Sequence, residues 1–256
     1  MPIAFHQRPG IVVYLTAGDP SLDATREIAV ASIDAGADVI ELGVPFSDPV
    51  ADGPVIQRAS ERALAQGTDL AGVIDVARQV RQHSRAGLII FSYLNPILQF
   101  GLDNFCQTAK NTGVDGALVT DLPVEEAHDY LRAMKAHKLS PIFLAAPTSP
   151  DERLKSVARY SKGFVYAISR TGITGTRQEV AGDAQSLVQR LRQFTQLPVA
   201  VGFGVSTPEQ FTEVGQFADA AVIGSAIVQL IENNPRHEAE AVSKFLKGLR
   251  REPASH

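Results

Sequence analysis

The sequence predicts an α/β chain folded as a (β/α)8 TIM barrel, with residues 1–256 forming a single domain. Three observations carry that prediction. Eight short runs are apolar at successive positions, as a strand covered on both faces of a parallel sheet requires. Helical patterns separate them. The connection from helix to strand also echoes along the chain: Asp34-Ala-Gly-Ala-Asp38, Asn111-Thr-Gly-Val-Asp115 and Gly215-Gln-Phe-Ala-Asp219 each precede an apolar run. Each reads as a helix end, a tight turn and a strand. A chain of 256 residues suits one barrel of about 250 residues, although two small domains would also fit.

Taken in order, the first strand spans 11–16 and leads to a helix over 21–35. The second, 39–43, leads to helices over 55–66 and 70–84. The third, 87–92, leads to 102–112, and the fourth, 116–120, to 125–138. The fifth, 141–145, leads to 151–160, and the sixth, 163–168, to 184–195. The seventh, 198–202, leads to 208–217. The eighth, 220–224, leads to a helix opening at Gly224-Ser225, and 238–249 closes the series. Pro123, Pro150 and Pro208 stand where a first helical turn tolerates proline. A doubly wound open sheet is the alternative. It usually carries G-x-G-x-x-G after its first strand, and Thr16-Ala-Gly-Asp-Pro20 does not match.

Composition excludes several function classes. The chain is 45% hydrophobic and 20% charged, with net charge −4, which argues against a general binder of nucleic acid or acidic membrane. The single cysteine, Cys106, has no internal disulfide partner and excludes a cysteine-based zinc cluster. No apolar run approaches the ~18 residues of a membrane span, and residues 1–9 lack a signal-peptide stretch. The cytoplasm is the expected location. There is no tryptophan.

In a barrel of this kind the site forms at the C-terminal ends of the strands. Polar residues there are Thr16, Asp19, Glu41, Ser47, Asp48, Asp52, Ser92, Tyr93, Asn95, Thr120, Asp121, Tyr166, Ser169, Arg170 and Ser225. None of the six histidines stands there, and neither does any lysine. A Schiff-base aldolase therefore lacks its nucleophile, and a metal would have carboxylates alone. Carboxylates and tyrosines remain for proton transfer.

Glu41 stands out because it interrupts the apolar run 39–43, where a charge is costly unless paired or functional. Burial would raise its pKa, as a general acid/base needs, while an outward-facing ion pair is the alternative. Asp48 and Asp52 also read as turn residues. Gly202-Phe-Gly-Val-Ser206 and Gly224-Ser225 let backbone N–H groups approach a phosphate, although tight turns alone would account for the glycines. Arg170-Thr-Gly-Ile-Thr-Gly175 reads as a glycine-hinged lid or as a simple loop.

Glu41-Leu-Gly-Val-Pro-Phe-Ser-Asp-Pro-Val-Ala-Asp-Gly-Pro54, followed by Ile56-Gln57, closely resembles the signature of the tryptophan synthase alpha chain family. Thr16-Ala-Gly-Asp-Pro20, Tyr93-Leu-Asn-Pro96, Asp121-Leu-Pro123, Ser169-Arg-Thr-Gly-Ile-Thr-Gly175, Gly202-Phe-Gly204 and Gly224-Ser225 match in order, so the resemblance covers nearly the whole chain.

The resemblance implies retro-aldol cleavage of indole-3-glycerol phosphate to indole and glyceraldehyde 3-phosphate. Glu41 is then the general acid/base, and Asp52 accepts the indole N–H bond and stabilises the ring cation. Tyr166 matches the tyrosine that orients this aspartate, and Thr174 the lid threonine that meets it. Tyr14, Phe91, Tyr93, Leu118 and Phe203 would line the indole slot. Gly175, Gly204, Gly224 and Ser225 would hold the phosphate, with Gly202 beside them. The resemblance also implies an α2β2 complex with a tryptophan synthase beta chain that carries pyridoxal phosphate. Segments 45–54 and 170–177 would face it. This chain would itself hold no cofactor and no metal.

Two departures stand out. The family usually has an amphipathic helix before the first strand that closes the barrel bottom. Only about eight residues precede Gly10 here, so a shortened or missing helix is expected, leaving that closure in question. Thr120 is more polar than expected beside the slot. Three other functions stay open: a stand-alone lyase, a silent activator of a beta chain, and an unrelated phosphate-binding barrel.

Overall fold

Each apolar run becomes a strand. The computed structural model describes residues 3–168, 177–202 and 204–250, with side chains 177–181 left aside. Its strands are β1 (Gly10–Thr16), β2 (Val39–Gly43), β3 (Gly87–Ser92), β4 (Gly116–Val119), β5 (Ser140–Ile142), β6 (Leu144–Ala145), β7 (Val165–Ile168), β8 (Val199–Gly202) and β9 (Ala220–Ile223). They pair in parallel in the order β5-β4-β3-β2-β1-β9-β8-β7-β6.

β5 and β6 are the two halves of the run expected over 141–145, parted at Phe143. The ring closes there, because β5 pairs with β4 and β6 with β7. The Tyr166 N–H also donates to the Phe143 carbonyl at 3.2 Å. Nine segments thus make eight barrel strands, and the (β/α)8 expectation holds over the alternative open sheet.

The helices are α1 (Leu22–Asp34), α2 (Pro54–Ala65), α3 (Leu70–His83), α4 (Leu94–Phe100), α5 (Leu102–Asn111), α6 (His128–Ala136), α7 (Asp151–Tyr160), α8 (Arg177–Arg192), α9 (Pro208–Phe217), α10 (Ser225–Asn233) and α11 (Glu238–Leu249). Local chemistry starts several of them. Ser21 accepts from the Ala24 N–H before α1, and Asp69 from the Gly72 N–H before α3. Thr207 and Gln210 form a capping box at α9, with Pro208 in the first turn.

Three expectations shift. α6 begins at His128 rather than 125, because Pro123 opens a turn in which Glu126 N–H donates to the Pro123 carbonyl at 3.0 Å. α8 begins earlier than 184. The expected loop at Asn95-Pro96 is the first turn of α4, where a missing N–H costs nothing. None of the described helices is long and apolar enough to cross a membrane.

Strand residues alternate between two apolar layers. Ile11, Val13, Leu15, Ile40, Leu42, Leu88 and Ile90 point outward under the helices. Val12, Val39, Ile89, Leu118, Ile142, Phe164, Ala200, Ala220 and Val222 fill the lumen. Each such side chain, fully buried, contributes about 1.5–3 kcal/mol.

Among the described residues before β1, no helix closes the bottom of the barrel. Residues 3–9 carry none, and Ile3 is buried in the lumen cluster. Phe5 packs edge-on against Phe164 at 5.9 Å between ring centroids. This answers the question left by the short N-terminal segment.

The sequence echo has a structural cause at the same end. Asp38 Oδ2 accepts the Ile11 N–H at 2.9 Å, Asp115 Oδ2 the Leu88 N–H at 3.0 Å, and Asp219 Oδ2 the Val199 N–H at 2.7 Å. Each aspartate precedes one strand and ties down the start of its neighbour. Arginines complete the clamps: Arg250 lies 3.8 Å from Asp38, Arg81 2.6 Å from Asp115, and Arg192 pairs with Asp219. Removing the Asp115 carboxylate leaves the Leu88 N–H without its acceptor and takes the anion from Arg81, which keeps its bonds to the Gly113, Ser84 and Ala86 carbonyls. Asp115→Ala is therefore expected to lower unfolding stability by roughly 2–3 kcal/mol, read as a reduced urea midpoint at unchanged m-value. An unchanged midpoint would reject the clamp.

Candidate active site

At the C-terminal ends of the strands the inward positions are no longer all apolar. Val39 faces the lumen, so Glu41, two residues on, faces it too. Glu41 is 0% exposed, and neither carboxylate oxygen has a hydrogen-bond partner among the described residues. The outward-facing ion pair is thus not what forms. Desolvation alone pushes Glu41 up to about 8.

Asp52 arrives from the loop between β2 and α2 and remains partly exposed. The Tyr93 hydroxyl donates to its Oδ2 at 3.1 Å and accepts the Ala51 N–H at 2.9 Å. Burial raises Asp52 to about 6, opposed by the Tyr93 bond. Tyr93 is itself pushed up to about 12, first by burial and then by the charge of Asp52.

Two further contacts set Tyr93. Its ring stacks on Phe46 at 5.0 Å. The carboxylate of Asp121, reaching across from the end of β4, accepts the N–H of Leu94, the next residue, at 2.7 Å. That bond caps α4, which has no N-cap side chain of its own.

Beside Asp52 lies a cavity of about 430 Å³; Glu41, wholly buried, sits behind its lining next to Tyr14 in the register of β1 and β2. Tyr14, Phe91 and Tyr166 line it together with Asp52, Gly202, Gly204, Gly224 and Ser225. The Tyr14 and Phe91 rings meet edge to face at 5.1 Å. Burial, reinforced by the charges of Glu41 and Asp52, holds the hydroxyls of Tyr14 and Tyr166 well above their usual range.

Two glycines make this possible. A Cβ on Gly43 would stand 2.3 Å from the Tyr14 hydroxyl oxygen, and one on Gly202 would stand 2.8 Å from that of Tyr166. Between them around the ring α10 opens at Gly224-Ser225, where first-turn N–H groups lack helical acceptors and both residues line the cavity. That end suits an anion without any lysine.

Most residues expected at the site converge. Three placements differ from expectation. Leu118 is fully buried one layer below the cavity, in the lumen cluster. Tyr93 reaches the site through its hydroxyl on Asp52 rather than as a wall, and that hydroxyl, not Tyr166's, holds the aspartate. Asp19 is drawn away into a bidentate pair with Arg62 at 2.8 Å, which Glu232 extends. Thr174, Gly175 and Phe203, with the lid segment 170–175, lie outside the described residues.

Val55, Ile56, Leu144, Ile168 and Val222 line the cavity and were not singled out in the sequence. For the last three the signal was present. Leu144, Ile168 and Val222 each stand two positions beyond a lumen residue: Ile142, Tyr166 and Ala220. The Thr120 hydroxyl donates to the Ser92 carbonyl at 3.4 Å, which settles its polarity locally.

Comparison with known proteins agrees with this arrangement. A profile of the tryptophan synthase alpha chain family matches residues 3–253. The alpha chain of Solibacter usitatus is 51% identical over 96% of this chain and 91% of its own. That of Geobacter sulfurreducens is 46% identical over 96% and 93%. Among solved structures, the alpha chain of the Pyrococcus furiosus tryptophan synthase a2b2 complex superposes with a TM-score of 0.89. It shows 40% identity, over 95% of this chain and 98% of that one. The Legionella pneumophila alpha subunit gives 0.86 at 37% identity, over 94% and 91%. A wholly buried glutamate with no partner among the described residues, and a tyrosine-held aspartate on a glycine-lined cavity, both fall within the family's longest motif, and the chain belongs to the tryptophan synthase alpha chain family.

Proposed function

We propose that Glu41 and Asp52 carry out the reaction of this family, the cleavage of indole-3-glycerol phosphate to indole and glyceraldehyde 3-phosphate. The observation that carries the assignment is the pair of opposite environments. Glu41, raised to about 8, is mostly protonated at neutral pH, and Asp52, raised to about 6, is mostly ionised. Two carboxyl groups pushed apart in this way are the hallmark of divided acid and base roles.

The chemistry follows from those states. The Glu41 carboxyl gives its proton to indole C3, and positive charge develops on the ring. Asp52, as the anion, accepts the ring N–H bond and stabilises that cation in a largely dry cavity. The Glu41 carboxylate then takes the proton of the hydroxyl on the carbon joined to the ring. As that O–H opens to a carbonyl, the carbon–carbon bond breaks and its electrons return to the ring. Indole and the aldehyde leave, and Glu41 is again protonated. Tyr93 holds Asp52 in place. The phosphate rests on Gly204, Gly224 and Ser225, with Thr174, Gly175 and Phe203 completing the enclosure.

The enzyme is a carbon–carbon lyase of the last steps of tryptophan biosynthesis. Its partner is a beta chain, as in the Pyrococcus complex. The loop 45–54 presents an apolar side chain, Val50, that is 87% exposed, which suits a face covered by that partner. We take residues 1–256 as one domain working in the cytoplasm, where phosphorylated substrates are retained.

Glu41→Gln and Asp52→Asn are each expected to raise the barrier by roughly 3–5 kcal/mol, measured as kcat/KM for indole release. The absence of tryptophan leaves only tyrosine emission behind the indole signal. Near wild-type activity in Glu41→Gln would reject the mechanism. Adding a beta chain should stimulate the rate strongly. A high rate that does not change would instead mark a stand-alone lyase.

Activity should follow a bell with limbs near 6, where Asp52 ionises, and near 8, where Glu41 loses its proton. Asp52→Asn should abolish the acid limb of the residual activity.

The raised Glu41 also sets a stability trend. Its folded value of about 8 lies above the ordinary 4.5, so folding favours its protonated form. That contribution is complete below 4.5 and fades as pH rises toward 8. Glu41→Gln should therefore gain stability over the wild type across this window, by a few kcal/mol in order of magnitude. Parallel pH–stability curves for the two proteins would contradict the unpaired burial.

A further inference from the structure

The ring of strands places β4 opposite β9, four steps away in either direction. With the phosphate on the β8 and β9 ends, the indole ring points toward the ends of β4 and β6. The wall there is thin. Thr120, Leu144 and Ile168 line the site cavity and also a second cavity of about 290 Å³ behind it. Val119, Phe143 and Val157 make the inner part of that second cavity apolar, while the Arg153–Glu125 pair at 2.8 Å stands toward its outer side. Its volume is roughly ten times the ~30 Å³ that one water occupies in the liquid, ample for a substituent on a ring.

We propose that this second cavity is a closed-off extension of the ring subsite, and that Thr120 and Leu144 are the residues that limit which rings the enzyme accepts. The inference rests on the substrate orientation given under the proposed function. The Thr120 hydroxyl is tied to the Ser92 carbonyl, so its side chain is held across the opening rather than free to turn aside. An indole carrying a chloro or methyl group on its six-membered ring meets this partition. Removing the partition lets the group pass into space that already exists, apolar on the side of Val119, Phe143 and Val157. One added methylene-sized group is worth about 10–200-fold in discrimination when a hydrophobic pocket does or does not fit it.

The test is an internal competition in the full chain. Equal amounts of indole-3-glycerol phosphate and its ring-chlorinated analogue are mixed, and the two indoles released are counted by mass spectrometry. Their ratio reports relative kcat/KM. Thr120→Ala and Leu144→Ala should each shift the ratio toward the chlorinated product by about tenfold or more. Ala146→Leu fills the second cavity from its far side, since Ala146 lines that cavity and not the site. Added to either opening variant, it should cancel the gain. Alone, it should leave the ratio at the wild-type value.

No shift in either opening variant, or a gain that survives Ala146→Leu, would overturn the proposal. Failure of the unaltered protein to release indole from the plain substrate would instead reject the underlying orientation and chemistry, and so is distinguishable.

Discussion

A strand in a closed parallel ring has two faces, and only one of them looks into the lumen. The rest of the molecule is organised by that constraint. Because side chains alternate with a period of two residues, the residues that fill the barrel and the residues that build the site are consecutive members of the same series. Val39 packs the lumen and Glu41 follows it on the same face beside Tyr14, while Ile89 and Ala220 lead in the same way to Phe91 and Val222, which line the cavity. A shift of one residue in any strand would turn its site residue out under a helix. The register that keeps Tyr14 beside Glu41 is therefore a functional quantity as much as a structural one.

The two ends of that ring do different work. At the bottom, aspartates are spent on backbone N–H groups and arginines, and Ile3 and Phe5 seal the lumen. Their polar atoms are satisfied, as stability requires. At the top, Glu41 is left with neither oxygen partnered, a costly arrangement in any interior. Its proton is the cheapest way to relieve that cost. The result is an acid that survives at neutral pH without help from any metal ligand or lysine. Asp52, a few ångströms nearer solvent along the loop and held by Tyr93, keeps its charge. One site thus holds a neutral and an ionised carboxyl group because their surroundings differ in hydration, not because the residues differ much in chemistry.

Positioning Asp52 through Tyr93 takes contributions from two separate loops, the one after β2 and the one after β4. Phe46 stacks on Tyr93, Ala51 donates to its hydroxyl, and Asp121 caps the short helix that follows it. None of these neighbours is adjacent in sequence to Tyr93 or to one another. Catalytic side chains on loops gain their precision from such crossed supports, since the loop backbone alone provides little.

The order of strands, their apolar character, and the candidacy of Glu41 as a buried carboxylate were legible in the chain, while Asp52 stood out only through the motif's resemblance. Each depends on local pattern: a charge inside an apolar run, an echo of Gly and Asp before a strand, a long motif after one. The short helix at Asn95-Pro96 was not legible, because its cap, Asp121, comes from another strand's loop. Nor were the cavity walls Val55 and Ile56, which open α2 and reach the cavity only through where that helix is placed. By itself the sequence determined which residues are apolar, where the strands run, and which titratable groups stand at their C-terminal ends. The tertiary structure alone decided that Glu41 faces inward without a partner, that Tyr93 rather than Tyr166 holds Asp52, and that Asp19 is taken by Arg62. The reason is physical: desolvation and hydrogen bonding depend on what surrounds a group in space, and no pattern along the chain records that.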